Sequence, residues 1–337
     1  MAQAHMESAR NCNNIAVLLP ESRTVPRWES LDRPLLVEGL QQALPDATIS
    51  YANANGQIST QNQQAEEALS NGACILVVAT VDSNDTTIVE RAQTRQVPVI
   101  AYDRLIQAKD VAAYVSFDNL MVGELQGRYI AENYEPGARV VMINGSEDDN
   151  NAIRFREGAL TQLQPLLDQG AISIIHDEYT PDWNNATAQA TMEDLLDEEE
   201  GNIQIAYVAN DGMAGGVISA LRLFGLNGKV LVTGQDATVV GIRNILLGDQ
   251  AMTVYKPIPQ QAQATIQVVQ TLIGGGSLQQ LTSETIQVAS GESVPFIKLT
   301  PIAVTRDNLA STVIADGFVS QADVCVDVPA GTSNLCP

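Results

Sequence analysis

Residues 74–105 read CILVVATVDSNDTTIVERAQTRQVPVIAYDRL, and they contain a complete strand–helix–strand unit. The run Cys74–Ala79 is apolar at every position. Continuous rather than alternating hydrophobicity marks a strand buried on both faces, the habit of a parallel sheet. Polar residues lead from it into a helical segment, Thr86–Thr94, and a second short run, Val97–Ala101, closes the unit. Asp103 and Arg104 follow immediately.

The same alternation extends in both directions. Upstream lie Ile15–Leu19, a helical segment over Leu35–Leu44, a weaker strand at Thr48–Tyr51 and a helix over Thr60–Leu69. Ala113–Val115 follows downstream. A second series of strands then runs through Val140–Ile143, Ile172–Ile175, Ile205–Ala209, Lys229–Val232 and Met252–Val254. Helices are expected over Asn151–Leu163, Asn185–Leu196, Gly212–Phe224 and Val239–Leu247. Strands alternating with amphipathic helices make βαβ units, and two series in tandem predict two similar doubly wound α/β domains. A length of 337 residues suits two cores of ordinary size better than one. Tyr255–Pro259 (YKPIP) interrupts the pattern, and a further helix, Gln260–Ile273, ends at Gly274–Gly276.

Composition removes several classes of function. A net charge of −22 would be repelled by a phosphate backbone or an anionic membrane surface, so nucleic acid is not an expected partner. No apolar run reaches the length that spans a bilayer. Aromatics are only 4% of the chain, the balance of Val/Ile strands and Ala/Leu helices rather than of a β-sandwich. Met1–Met6 (MAQAHM) reads as an expression remnant with its natural leader removed. The only histidines are His5 and His176, and Cys12, Cys74, Cys325 and Cys336 have no CxxC spacing, so neither a metal site nor any other cofactor is expected. An even number of scattered cysteines suits structural disulfides in an oxidising compartment; four unrelated thiols are the alternative.

Parallel doubly wound sheets bind ligands beyond the carboxyl ends of their strands. The residues there are Arg27 and Trp28; Asp103 and Arg104; Asp149, Asn150 and Asn151; Trp183; Asn210 and Asp211; Asp236; and Lys256. They are guanidinium forks, carboxylates, amides and indoles, the three kinds of group that a monosaccharide requires for its hydroxyls and its apolar ring faces. Each has a plainer reading too. Asp211 and Asp236 could cap helices, Asn151 could cap the helix after it, and the Asp103–Arg104 pair and Lys256 could be solvated surface charge. Either Trp could be core. No GxGxxG, GxxxxGK[ST] or GxSxG occurs, and one usable His makes no nucleophilic triad, so an enzyme is not expected.

Six segments carry a resemblance: AYDRLI (101–106), YVSFDNLMVGELQG (114–127), DNNAIRFREG (149–158), VANDGMAGGVISAL (208–221), TGQDATVVGI (233–242) and MTVYKPI (252–258). In order and with few insertions, from Ile15 to Phe318, the chain resembles the bacterial D-xylose-binding proteins of ABC importers, within the sugar-binding cluster of type I periplasmic binding proteins. The resemblance implies two Rossmann-like lobes joined by three chain crossings, near Phe117–Asn119, Lys256–Ile258 and Val294–Lys298, that close on a sugar. It places residues 13–117 and 258–294 in one lobe, 118–257 and 295–320 in the other, and leaves 321–337 as a tail. It assigns sugar contacts to Arg27, Trp28, Asp103, Arg104, Asp149, Asn151, Trp183, Asn210, Asp236 and Lys256.

The same resemblance implies an exported monomer, periplasmic or tethered at the cell surface, that takes D-xylose first and glucose second and meets an ABC permease. A sensor presenting its sugar to a chemoreceptor or sensor kinase fits the same residues. Repressors of similar fold carry a DNA-binding segment of about sixty residues ahead of the first strand, where fourteen stand here. Ser146–Asp148 departs from the family's Ser-Pro-Val, and Cys12, Cys74 and the cysteine-bearing tail are additions. Ser8–Asn11 before Cys12 lacks the small, apolar pattern of a lipid-anchoring signal. Because first and third strands are neighbours in such sheets, Cys12 is expected to pair with Cys74, and Cys325 with Cys336.

Overall fold

A computed structural model describes residues 9–22 and 24–337. Met1–Met6, with His5, and Ser8 lie outside the described residues. The chain divides into two compact units.

The first comprises the chain up to Phe117, Asp148–Asn151 and Ile258–Leu299. Its sheet has seven strands in the order β11-β12-β5-β4-β3-β1-β2. These are β1 (Asn14–Leu19), β2 (Thr48–Asn53), β3 (Ile75–Val78), β4 (Val99–Tyr102), β5 (Ala113–Phe117), β11 (Thr285–Gln287) and β12 (Ser293–Leu299). β1 to β5 are parallel in the 2-1-3-4-5 order of a doubly wound domain, and Ile15 stands opposite both Ile49 of β2 and Ile75 of β3. β1, β3, β4 and β5 are almost wholly buried, as their unbroken apolar runs require. One face packs around Leu18, Leu76, Val78 and Ala101, the other around Leu19, Val77, Ile100 and Leu36. Pairing of β1 with β3 brings together the residues just ahead of the two strands, and Cys12 and Cys74 are disulfide-bonded there with Cα atoms 5.6 Å apart.

The second unit comprises Asp118–Glu147, Ala152–Pro257 and the chain from Thr300 onward. It repeats the pattern with a parallel sheet β7-β6-β8-β9 formed by β6 (Ala138–Asn144), β7 (Ile172–Tyr179), β8 (Ile205–Val208) and β9 (Leu231–Val232). β10 (Met252–Tyr255) pairs antiparallel with β13 (Ile302–Thr305).

Three expectations change. Val294–Lys298 is not a crossing: it lies in β12, which runs parallel to β5 from Phe296↔Tyr114 to Leu299↔Phe117, with the Phe296 and Tyr114 rings stacked at 4.8 Å. Residues 295–299 therefore belong to the first unit, and so do Asp148–Asn151. Residues 321–337 are not a separate tail. Val319, Val324 and Cys336 are buried with Ile242, Ile245 and Leu246 in one hydrophobic cluster of the second unit, closed by the Cys325–Cys336 disulfide.

Candidate functional site

In the first unit the chain leaves β1 and enters a π-helical turn, Trp28–Asp32, ahead of the helix Arg33–Ala43. The Arg33 N–H donates to the Trp28 carbonyl, so residues five apart lie one above the other. That offset sets Arg27 on Asp32. Arg27 Nε and an Nη donate to the Asp32 carboxylate at 3.1 and 3.3 Å, and Arg27 Nη2 donates to Asp103 Oδ2 at 2.8 Å. Asp32 is fully buried and also accepts the Tyr102 hydroxyl at 2.6 Å. Burial pushes its carboxyl up, against the pull of Arg27 and Tyr102. The Arg27 guanidinium stacks on the Trp28 ring at 4.5 Å, Arg104 lies 5.6 Å from the same ring, and Tyr102 meets it edge-on.

Asp103 and Arg104 follow β4 directly. Asp103 adopts φ +61°, with its N–H on the Val115 carbonyl, and its carbonyl accepts the Tyr114 and Ser116 hydroxyls. Asn151 Nδ2 donates to Asp103 Oδ1 at 3.1 Å and Gln261 Nε2 to Oδ2 at 3.3 Å. Arg104 Nε lies 2.9 Å from Asp149 Oδ2, while Arg104 Nη1 donates to the Thr80 carbonyl. Asp149 Oδ1 also accepts the Asn151 N–H. The plainer reading of Asp103–Arg104 as solvated surface charge does not hold, since both are buried. Arg27, Trp28, Asp103, Arg104, Asp149 and Asn151 thus form one cluster at the carboxyl ends of β1 and β4.

The second unit places Trp183, Asn210, Asp236 and Lys256 beyond the ends of β7, β8, β9 and β10. Trp183 is buried, with φ +54°, and its ring meets Phe155 edge-on at 6.2 Å. It also lies against Gly145, where an added Cβ would stand 2.2–2.4 Å from three ring atoms. Lys256 Nζ is 3.7 Å from Asp236 Oδ1 and 5.8 Å from the Phe155 ring centre. Asn210 accepts the Met213 N–H at 2.9 Å and is itself the cap of the helix Asp211–Leu223. Asp211, read from sequence as a cap, is instead a fully buried carboxylate. Asp236 is not a cap either: Thr238 caps the helix Val239–Leu247. The Nε1 atoms of Trp28 and Trp183 are buried with no acceptor among the described residues.

Sequence reading missed Asp32, Tyr102, Gln261 and Phe155, and took Asp211 for a helix cap rather than a buried carboxylate. Asp32 stands five residues after Arg27, a spacing that pairs side chains only in a π turn, and nothing in RWESLD announces one. Gln261 is 158 residues from Asp103, and only the fold joins them.

Two doubly wound units with buried polar clusters at their strand ends define the fold of type I periplasmic binding proteins. A model of the periplasmic binding protein domain matches residues 16–277, and the chain belongs to that family. It is 35% identical over 299 residues to the D-xylose-binding periplasmic protein of Escherichia coli, covering 88% of each chain. To a multiple sugar-binding periplasmic protein of Azospirillum brasilense it is 35% identical over 334 residues, covering 93% of this chain and 92% of that one. Among solved structures, an ABC transporter solute-binding protein of Clostridium phytofermentans with bound β-D-glucose matches with a TM-score of 0.84 at 26% identity, covering 92% of this chain and 99% of that one.

Proposed function

We propose that this chain is an exported solute-binding protein, not an enzyme, that captures a monosaccharide and hands it to an ABC importer, with D-xylose its first ligand and glucose its second. The observation that carries the reading is the cluster at the ends of β1 and β4, where three carboxylates and the Arg104 guanidinium are buried, and the Arg27 guanidinium is nearly so, beside an indole. Burying that many charges costs several kcal/mol unless they are mutually paired and hydrogen-bonded, and they are. Such a lattice holds donors and acceptors in fixed directions, which is what recognition of several hydroxyls requires. The likeness over 88% of the chain to D-xylose-binding periplasmic proteins supports the choice of sugar.

In this reading the groups that address sugar hydroxyls are Arg27, Asp103, Arg104, Asp149 and Asn151 of the first unit and Asn210, Asp236 and Lys256 of the second. Trp28 and Trp183 supply apolar surface. Xylopyranose in its chair sets all its hydroxyls equatorial and leaves both ring faces apolar, while a hexose must bury one more hydroxymethyl group. An unpaired buried hydroxyl would cost about 1–3 kcal/mol, or about ten- to a hundredfold in affinity. Calorimetry with xylose, glucose, ribose and arabinose tests this. Xylose is expected to bind tightest, and Asp103→Asn in one unit and Trp183→Ala in the other are each expected to weaken it at least tenfold. Ribose or glucose binding tenfold tighter than xylose would overturn the choice of sugar, and no binding of any monosaccharide would overturn the reading.

A second reading has the loaded protein engage a signalling receptor. It is favoured by 29% identity over 329 residues to a multiple sugar-binding periplasmic receptor of Rhizobium radiobacter. Sugar uptake into permease-bearing vesicles that depends on added protein would separate transport from sensing.

A further inference from the structure

Asp211 is a fully buried carboxylate whose side-chain hydrogen bonds come from the neutral groups of Thr238, Gln250 and Thr253, and none of the roles above uses it. Its Oδ2 accepts the Thr238 N–H at 2.8 Å and the Thr238 hydroxyl at 3.2 Å. Its Oδ1 accepts Gln250 Nε2 and the Thr253 hydroxyl, each at 2.8 Å. The enclosure is tight, since a Cβ at Gly234 would meet Oδ1 at 2.3 Å and one at Gly241 would meet Oδ2 at 2.2 Å.

These bonds converge on the stretch 235–238, where two consecutive non-glycine residues hold positive φ, Asp236 at +101° and Ala237 at +50°. Backbone of that kind persists only where its surroundings over-determine it. The Asp236 N–H is held by the Val254 carbonyl at 2.9 Å, the Ala237 N–H by Thr253 Oγ1 at 3.2 Å and the Thr238 N–H by Asp211 itself. The Asp211 N–H in turn donates to the Gln235 carbonyl at 2.9 Å. Thr253 is the informative member. In its ionised form the Asp211 carboxylate can only accept, so the Thr253 hydroxyl then points its proton at Asp211. Its lone pairs are then left for the Ala237 N–H. One buried charge therefore fixes two successive amides of the turn, one directly and one through an oriented hydroxyl.

We infer that Asp211 is a positioning residue for ligand recognition, holding the strained Asp236–Ala237 turn so that the Asp236 carboxylate is presented in one orientation beside Lys256. The inference rests on the sugar-binding reading only for what Asp236 contacts. Xylose affinity is to be measured by calorimetry for Asp211→Asn, Asp236→Ala and the double variant, with amide hydrogen exchange of the sugar-free proteins.

Asp211→Asn is expected to lose about tenfold or more in affinity, to lose nothing further in the Asp236→Ala background, and to speed exchange at Ala237 and Thr238. Thr253→Val, which keeps shape and removes the hydroxyl, is expected to give the same pattern at Ala237 if Asp211→Asn does not fold. Losses that multiply in the double variant, or unchanged exchange at both amides, would overturn the positioning role. Should the wild-type protein bind no monosaccharide, the sugar reading fails, and exchange at Ala237 and Thr238 alone decides for or against positioning.

Discussion

Gly145→Ala is the smallest change that should disable one wall of the candidate site. The added methyl carbon would lie 2.2, 2.3 and 2.4 Å from Cη2, Cζ2 and Cζ3 of Trp183. Ordinary carbon contacts begin at 3.4 Å, so the ring must retreat by about 1.2 Å from the 2.2 Å approach. It has little freedom to do so. Phe155 meets the ring edge-on, and the Trp183 backbone occupies the left-handed region directly after Asp182 at φ +56°. The Thr180 N–H is tied to the Asn144 and Gly145 carbonyls, and the Trp183 N–H to the Thr180 carbonyl. Overpacking of this kind costs about 1–3 kcal/mol. If half of that falls on the bound state, affinity drops by about two- to twelvefold. Calorimetry with xylose reads the affinity. Tryptophan emission reads the displacement directly, because the chain has two tryptophans and a Trp28→Phe background isolates Trp183. A Gly145→Ala variant with unchanged xylose affinity and unchanged Trp183 emission would refute the role given to the indole.

Two further outcomes follow from the buried groups and the cysteines. Burial pushes the Asp211 carboxyl from 3.8 up to about 7, with a smaller upward push from Asp236. Because the folded value is the raised one, Asp211 adds stability below about pH 4 and withdraws it as pH rises through 7, a swing on the order of 4 kcal/mol. The melting temperature of Asp211→Asn relative to wild type should therefore improve steadily between pH 4 and 7.5, and a difference independent of pH would refute the buried-charge account. Peptide mass mapping without reduction should recover Cys12–Cys74 and Cys325–Cys336 as linked pairs. The loops they close span 62 and 11 residues and should stabilise by about 4 and about 3 kcal/mol in the chain-entropy picture, so four free thiols would sink both.

Whether an element could be read from sequence followed how local its cause is. β1, β3, β4, β6 and β8 declare themselves as unbroken apolar runs because both faces of each are buried. β11 and β12 do not: TIQ is exposed at both ends, and SVPFIKL mixes charge and proline with apolar residues at an antiparallel edge. The helix after β10 begins at Ile258, two residues earlier than its periodicity suggests, because a proline in the first turn leaves no hydrogen bond unmade. Candidate site residues were legible as types at strand ends. Their arrangement was not, because it depends on long-range partners such as Gln261 on Asp103 and Asn151 on Asp103. Asn210 and Asp211 show the limit most plainly: adjacent residues of nearly equal shape divide into a helix cap and a buried charge, and only Thr238, Gln250 and Thr253 decide which is which.

Backbone strain separates the candidate residues from their surroundings by an independent route. Non-glycine residues with positive φ include Asn11, Asn55, Gln96 and Asp327, all solvent-exposed and in turns or loops, where such conformations cost little beyond local sterics. The ones withdrawn from solvent are different. Asp103, Trp183 and Ala237 are buried, Asp236 is nearly so, and all four lie in or beside the two polar clusters. Each costs about 1–3 kcal/mol, and nothing about the sheets demands it, since a turn after a parallel strand can be made with ordinary dihedrals. What the strain does secure is direction. A left-handed residue at the end of β4 lets the Asp103 carbonyl take two hydroxyls while its carboxylate takes Arg27, Asn151 and Gln261. Both units thus spend stability to fix polar side chains before any ligand arrives, which is the condition under which a small, hydroxyl-rich molecule can be held without first ordering its site.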